Sequence, residues 1–426
     1  MKNIFHPKEN TVSNAVFLIF LGWLVYTISY LGKVNYSANI TQVIDFYGIT
    51  KAQAGIVPTF FFFAYGVGQV INGLLCKKYN MKWMVFLSLF VSGIVNLILA
   101  VSTNFSIVKW LWLINGISLS VLWPTIVRQL SEALPKKALG VSSVVMGTTV
   151  AIGTLIIYGL SSVFAAIHKF KLSFYTAAIA IFVVAFIWII FYNKALSSAK
   201  KERDQEESIE ITQSDKPIEK TQKKGERTLL FTSIYVLCFF AIGVNLIKDG
   251  LTTWVPSILK EEFFMSDSLS ILLTLLLPVL AVFGNACALK MHKIFPDYVN
   301  LCAVAFGIIG VFIGIIIGSL SFRIVSLMLV GLLVVNFFAS TLNSLITGIF
   351  PLFMREKVNS GLFAGVLNGF CYLGSTISSY GLGAIADNFG WTAVFITLIG
   401  FTIISIIVWS VYFCLKRFLI KDVHRN

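Results

Sequence analysis

Long apolar runs separated by short polar linkers dominate the hydrophobic pattern from one end of the chain to the other. Each run exceeds the roughly 18 residues needed to cross a bilayer core as a helix. Twelve spans can be placed, the first six at about 14–40, 53–75, 83–102, 106–131, 138–164 and 171–194. The other six fall at about 228–257, 268–289, 298–319, 323–350, 360–385 and 391–416. Residues 196–227 interrupt the series with eight basic and eight acidic side chains and almost nothing apolar. That segment reads as a solvated connector between two bundles. The predicted fold is all-α: twelve transmembrane helices in two pseudo-symmetric six-helix bundles, residues 1–195 and 228–426, joined by 196–227.

The two halves carry marks of an internal repeat. Lys33 lies about 19 residues into the first span and Lys248 about 20 residues into the seventh. Tyr158-Gly-Leu160 and Tyr380-Gly-Leu382 recur at similar depth in the fifth and eleventh. Bundles related by an axis along the membrane normal bind their substrates at the midplane between the halves. The two lysines would then face one another across that site.

Composition agrees with the pattern. The 426 residues are 57% hydrophobic and 12% charged, with a mean hydropathy of +0.87. A soluble domain carries about 25% charge. The net charge of +14 does not point to nucleic acid, because its placement follows the loops. Of the 33 Lys and Arg, 25 fall at the termini or in alternate loops and six in the opposite loops. The remaining two, Lys33 and Lys248, fall deep within spans. This asymmetry predicts both termini and the connector in the cytoplasm. The N-terminal segment has no small-residue cleavage site and reads as a retained first helix. The six cysteines (Cys76, Cys238, Cys287, Cys302, Cys371 and Cys414) have neither metal nor redox spacing and read as packing residues. No cofactor, metal ligand set or phosphate-binding glycine loop is expected, and an enzyme reading has no support.

The candidate chemistry begins with Lys33. An ammonium at the bilayer centre costs roughly 3 kcal/mol or more, so an intramembrane lysine is a functional-site candidate. Tyr26, Tyr30, Lys33 and Ser37 recur at i, i+4, i+7 and i+11 and share one helix face. The alternative is a lysine that snorkels to the headgroups or pairs with an acid for structural reasons. In the seventh span, Gly250 and Pro256 are expected to loosen the helix around Lys248. Asp249 is the one acid placed within a span. As neighbours at i and i+1, Lys248 and Asp249 are expected to point apart, leaving Lys248 unpaired. Two unpaired cations call for an anion; phosphate suits them, and carboxylate fits on charge alone. Tyr65, Gln69, Trp123, Thr148, Thr149, Asn336, Asn343, Asn368, Tyr372 and Ser375 are polar or aromatic candidates for the same cavity, with interhelical hydrogen bonding the competing role. Arg128, near a span end, reads as a structural or gating charge. Gly361, Gly365 and Gly369 form a small-residue ridge for close packing.

These residues give the chain a resemblance. Its layout resembles the major facilitator superfamily, and its motifs resemble the organophosphate:phosphate antiporter family. Tyr26, Tyr30 and Lys33 resemble that family's first-helix Tyr-Tyr-Arg pattern, and Tyr65 its second-helix tyrosine. Trp123-Pro124 with Arg128 resembles the fourth-helix signature. Lys248 with Trp254 and Pro256 resembles the seventh, and Tyr372-Leu-Gly374 the eleventh. The resemblance implies alternating access, with two cations gripping a phosphoryl group and substrate contacts at Tyr26, Tyr30, Lys33, Tyr65, Trp123, Thr148, Lys248 and Tyr372. Both family arginines are lysine here. A first-helix lysine and a seventh-helix acid are replaced by Val34 and Thr253. Thr148 stands for a fifth-helix histidine, and Gln69 for a second-helix lysine. Gly73-Leu-Leu-Cys-Lys77-Lys78 lacks the acid of the superfamily loop signature.

The expected function is a monomeric secondary transporter of a small organic anion, a sugar phosphate or glycerol phosphate, exchanged for inorganic phosphate. It is expected in a bacterial cytoplasmic membrane, spanning the lipid bilayer many times and binding no nucleic acid. A proton- or sodium-coupled carboxylate symporter, with Asp249 as coupling group, is the alternative. A transporter-like sugar-phosphate sensor is a third reading. The charge asymmetry predicts that a cysteine introduced within residues 200–225 is not labelled by a membrane-impermeant reagent outside intact cells. Rapid labelling there would reverse the topology.

Overall fold

A computed structural model of the chain describes residues 13–75, 78–210, 224–294, 297–353 and 360–425. Every described element is helical. The first half comprises α1 (Ser13–Ala38), α2 (Ile40–Tyr47), α3 (Lys51–Leu75), α4 (Met81–Val101), α5 (Phe105–Leu119), α6 (Leu122–Ala133), α7 (Lys136–Gly147), α8 (Thr149–Ala166) and α9 (Leu172–Glu210). The second comprises α10 (Lys224–Phe263), α11 (Asp267–Thr274), α12 (Leu276–Ile294), α13 (Tyr298–Phe322), α14 (Val325–Ser344), a π-helical turn (Leu345–Ile349), α15 (Phe350–Phe353) and α16 (Ser360–Arg425). Eleven described stretches are long and apolar enough to cross a membrane. The last, Gly365–Arg417, has 53 residues. At about 1.5 Å per residue it exceeds two bilayer cores, so it cannot be one crossing. Its break is Gly390, whose φ of 78° and ψ of 176° leave the helical region where only glycine is at ease. Divided there, the described stretches are consistent with the expected twelve spans.

Several spans expected as single helices are interrupted, and the cause can be read locally. A proline lacks an N–H and its ring clashes with the carbonyl four residues earlier. The junction between α5 and α6 lies at Ser120, four residues before Pro124. Leu275, between α11 and α12, lies three before Pro278. The π-helical turn ends two residues before Pro351. At the junction of α7 and α8 there is no proline. There the Thr148 hydroxyl donates to the carbonyl of Val145 (2.7 Å) and competes with the ladder. Pro256 does not break its helix: α10 runs continuously across Lys248, Gly250 and Pro256, contrary to the expected loosening.

Part of the charged connector is helix. α9 continues to Glu210, where Glu202 accepts from the amide of Ala15 (2.9 Å) and Arg203 donates to the carbonyl of Glu132 (2.5 Å). The rod therefore folds back on α1 and α6. Residues 211–223, Cys76, Lys77, Arg355 and Lys357 lie outside the described residues.

The halves meet along α3 and the first part of α16. At the end of the bundle away from the termini, Asp387 of α16 accepts from the backbone amides of Lys51 (3.1 Å) and Ala52 (2.7 Å) at the start of α3. A carboxylate there satisfies two of the orphan donors of a helix start and sits favourably at its dipole. Lys51 adds ion pairs to Glu261 (3.1 Å) and Asp387 (3.6 Å), and Lys260 pairs with Asp45 (2.6 Å). Ser162 and Ser268 are hydrogen-bonded across the same end. All these contacts join opposite halves, so this end is shut. Asp387→Ala should release it: alkylation of a cysteine at position 268 by an impermeant reagent added on that side is expected to rise several-fold. Unchanged labelling would mean that closure rests on apolar packing alone.

Candidate functional site

Lys33 sits in an aromatic cage. Its side chain is 9% exposed, and its ammonium lies 4.1 Å from the ring centre of Tyr65, 4.8 Å from Tyr30, 5.3 Å from Tyr372 and 5.7 Å from Phe61. It also approaches the Tyr372 hydroxyl at 3.5 Å. The face read from the sequence is the one buried: Tyr26, Tyr30, Lys33 and Ser37 all turn inward. Tyr26 extends the cage, with its hydroxyl 3.4 Å from that of Tyr65 and its ring 4.8 Å from Trp123. The rings of Tyr65 and Tyr372 are themselves 4.8 Å apart. Ring faces carry negative quadrupole density, and several around one ammonium offset part of its lost hydration. Phe61, one turn before Tyr65, was not anticipated; its i, i+4 spacing from Tyr65 is the signal that marks it. Among the described residues no carboxylate lies within ion-pair distance of Lys33.

Lys248 differs. Its ammonium lies 3.3 Å from Asp249, so the expectation that the two point apart is incorrect. The i, i+1 argument concerns Cβ directions, and four flexible methylenes let the ammonium turn back to its neighbour. Asp249 is also held from two other positions. Ser375 donates to it at 2.6 Å and Asn245 at 3.2 Å. Asn343 in turn donates to the Asn245 carbonyl oxygen (2.6 Å), which turns the amide N–H group toward Asp249. Thr252 bonds back to the carbonyl of Lys248 (2.8 Å). Lys33 lies close enough to this group to be repelled by Lys248 and attracted by Asp249.

Helix approach makes the arrangement possible. A Cβ on Gly374 would strike the carbonyl of Ile242, so α16 lies directly on α10 and brings Ser375 to Asp249. A Cβ on Gly66 would lie 2.7 Å from that of Tyr372, so glycine is what admits Tyr372 over Lys33. Asn368 donates to Gln69 across the same seam. Of the expected glycine ridge, Gly369 meets Val70 at 3.3 Å, whereas Gly365 has open space around it. The close approaches lie further along the helix than the ridge implied.

Other candidates are engaged elsewhere. Thr148 accepts from the Trp23 indole (3.0 Å), the Thr149 hydroxyl donates to the carbonyl of Met146 (2.6 Å), and Asn336 donates to the carbonyl of Leu277 (2.8 Å). Arg128 pairs with Glu132 (2.7 Å) and lines a separate cleft of about 310 Å³ with Lys82 and Tyr192. No group of three or more potential metal ligands occurs among the described residues.

The Major Facilitator Superfamily pattern matches residues 22–360. A probable hexose phosphate transport protein of Chlamydia trachomatis is 22% identical over 91% of this chain and 88% of its own. The glycerol-3-phosphate transporter of Bacillus subtilis is 24% identical, with 91% and 89% covered. The membrane sensor protein UhpC of Escherichia coli is 21% identical, with 88% and 87% covered. Among solved structures, a bacterial homologue of the human lysosomal transporter Spinster, inward-facing and occupied, superposes with a TM-score of 0.71. It covers 96% of this chain and 98% of its own at 13% identity, a likeness of fold. Gly374→Ala is expected to destabilise the protein by about 1–3 kcal/mol through overpacking against α10, read as a lowered Tm in detergent. An unchanged Tm would remove the close approach as the basis of the site.

Proposed function

Because the chain belongs to the major facilitator superfamily, we propose that it is a secondary transporter that exchanges a phosphorylated organic anion for inorganic phosphate by alternating access. The phosphoryl group sits between Lys33 and Lys248. The observation that carries this reading is the caged ammonium of Lys33, a buried cation whose neighbours are rings. Such a cation retains most of its attraction for an anion. The relatives named for hexose phosphate and glycerol-3-phosphate support a phosphoryl substrate. Tyr26, Tyr30, Tyr65 and Tyr372 supply hydroxyls around it, and Trp123 closes the cage behind Tyr26. The engagement of Asp249 by Lys248, Ser375 and Asn245 favours exchange over a proton relay. The relative named as a sensor supports a second reading, in which the same anion binds without being carried. Both termini and the connector face the cytoplasm in this proposal, and the protein acts as a monomer.

Counterflow in proteoliposomes against sugar phosphates, inorganic phosphate and sugar acids, with and without a proton gradient, separates these readings. Exchange of phosphoryl anions independent of the gradient is the expected result. Binding without counterflow would favour the sensor, and gradient-driven uptake of carboxylates would favour symport. Lys33→Gln should remove a charge-assisted contact and lower affinity roughly 10- to 150-fold. Lys248→Gln should cost less, because Asp249 already neutralises it. Wild-type affinity in both variants would place the anion elsewhere.

A further inference from the structure

The chamber proposed between Lys33 and Lys248 does not balance as two cations. Lys33 and Lys248 contribute two positive charges, and Asp249 contributes one negative charge 3.3 Å from Lys248. Asp249 is no stray acid. Ser375 from α16 and Asn245 from its own helix hold one of its oxygens, and Asn343 from α14 orients Asn245. The network draws on three helices, and its geometry depends on α16 lying against α10 at Gly374 and Gly250. A carboxylate fixed in this way stays beside Lys248 when an anion enters. The chamber thus presents one net positive charge, concentrated on Lys33.

We infer that Asp249 is a specificity-determining residue, setting the charge of the substrate at one net negative. The inference rests on the phosphoryl-anion reading above and deepens it. A singly charged anion leaves the chamber neutral, whereas a dianion leaves an uncompensated negative charge in a poorly hydrated space next to a carboxylate. Uncompensated buried charge is strongly disfavoured. Opposition between Asp249 and the second charge, at a separation of roughly 7 Å and an effective dielectric near 20, corresponds to about a 50-fold difference in affinity. The preferred ligand is therefore a phosphoryl group bearing one charge, with its remaining oxygens hydrogen-bonded by the tyrosines.

A pair of substrates of different fixed charge tests this without titrating the protein. At about pH 8 a hexose phosphate carries nearly two charges, since its second ionisation lies near pH 6, while its O-methyl phosphodiester carries one. Both are measured as competitors of counterflow by the full-length transporter in proteoliposomes. In wild type the diester should compete at least as well as the monoester. In Asp249→Asn the monoester-to-diester affinity ratio should rise roughly 10- to 50-fold, and in Asp249→Glu it should stay near the wild-type value. Asp249→Ser, equally neutral, should reproduce the rise if the asparagine variant does not fold. An unchanged ratio in a neutral variant that still binds the diester would overturn the inference and leave the exchange reading standing. Failure of wild type to recognise either phosphoryl anion would overturn the exchange reading, and the inference with it.

Discussion

The buried ammonium of Lys33 imposes a condition that much of the surrounding structure exists to meet. Its desolvation at membrane depth is worth roughly 3 kcal/mol or more, and no acid among the described residues answers it directly. Ring contacts of about 0.5–2 kcal/mol each offset part of that cost. The rings come from three helices: Tyr30 from α1, Phe61 and Tyr65 from α3, and Tyr372 from α16. The fourth ring belongs to the opposite half of the molecule. Lys33 is therefore better compensated when the halves are together than when Tyr372 is withdrawn.

The first part of α16 carries much of this coupling. It touches α3 at Tyr372, Asn368 and Asp387, and it touches α10 at Gly374, Ser375 and Ser379. Trp254, in the last quarter of α10, donates to the carbonyl of Ser379 (3.2 Å) and so ties the two helices toward the closed end. Above that, Asp387 caps α3 and pairs with Lys51. One helix thus presents Tyr372 to Lys33, Ser375 to Asp249 and Asp387 to the seam. Any rotation that unseats Asp387 from α3 also moves the groups that line the chamber. The closed end and the surroundings of both lysines are thus connected through a single helix.

Much of this was legible in the sequence, and the parts that were not share a cause. The twelve spans followed from apolar run length, and the inward face of α1 followed from helical spacing. Both rest on backbone geometry that side-chain detail does not alter. The breaks near Pro124, Pro278 and Pro351 were also within reach, since each lies within one turn after the interruption. By contrast, the pairing of Lys248 with Asp249 was misjudged. A rule about Cβ direction says little about where a four-carbon chain ends. Pro256 stays inside a continuous helix, because neighbouring helices can satisfy the backbone groups that a membrane proline frees. The roles of Phe61, Asn245 and the Gly66–Tyr372 approach depend on which helices become neighbours, and one-dimensional spacing does not contain that information.

The two lysines occupy corresponding positions in a pseudo-symmetric pair of bundles, yet their surroundings are opposite in kind. Lys33 is compensated by polarisable rings, which attenuate its charge little at a distance. Lys248 is compensated by a carboxylate, which cancels it. The pair of bundles is thus electrostatically one-sided, with more of its positive potential on the first bundle. Under the proposed function, an anion entering between the bundles would be drawn first toward Lys33 and its tyrosines, and would meet Lys248 only alongside Asp249. Because the Tyr372 hydroxyl already lies 3.5 Å from the Lys33 ammonium, that approach would compete with the residue that joins the halves. Under that proposal, binding and the loosening of one inter-bundle contact would be the same event. The coupling that alternating access requires can then arise from the cage itself, with no need for a separate transmitting element.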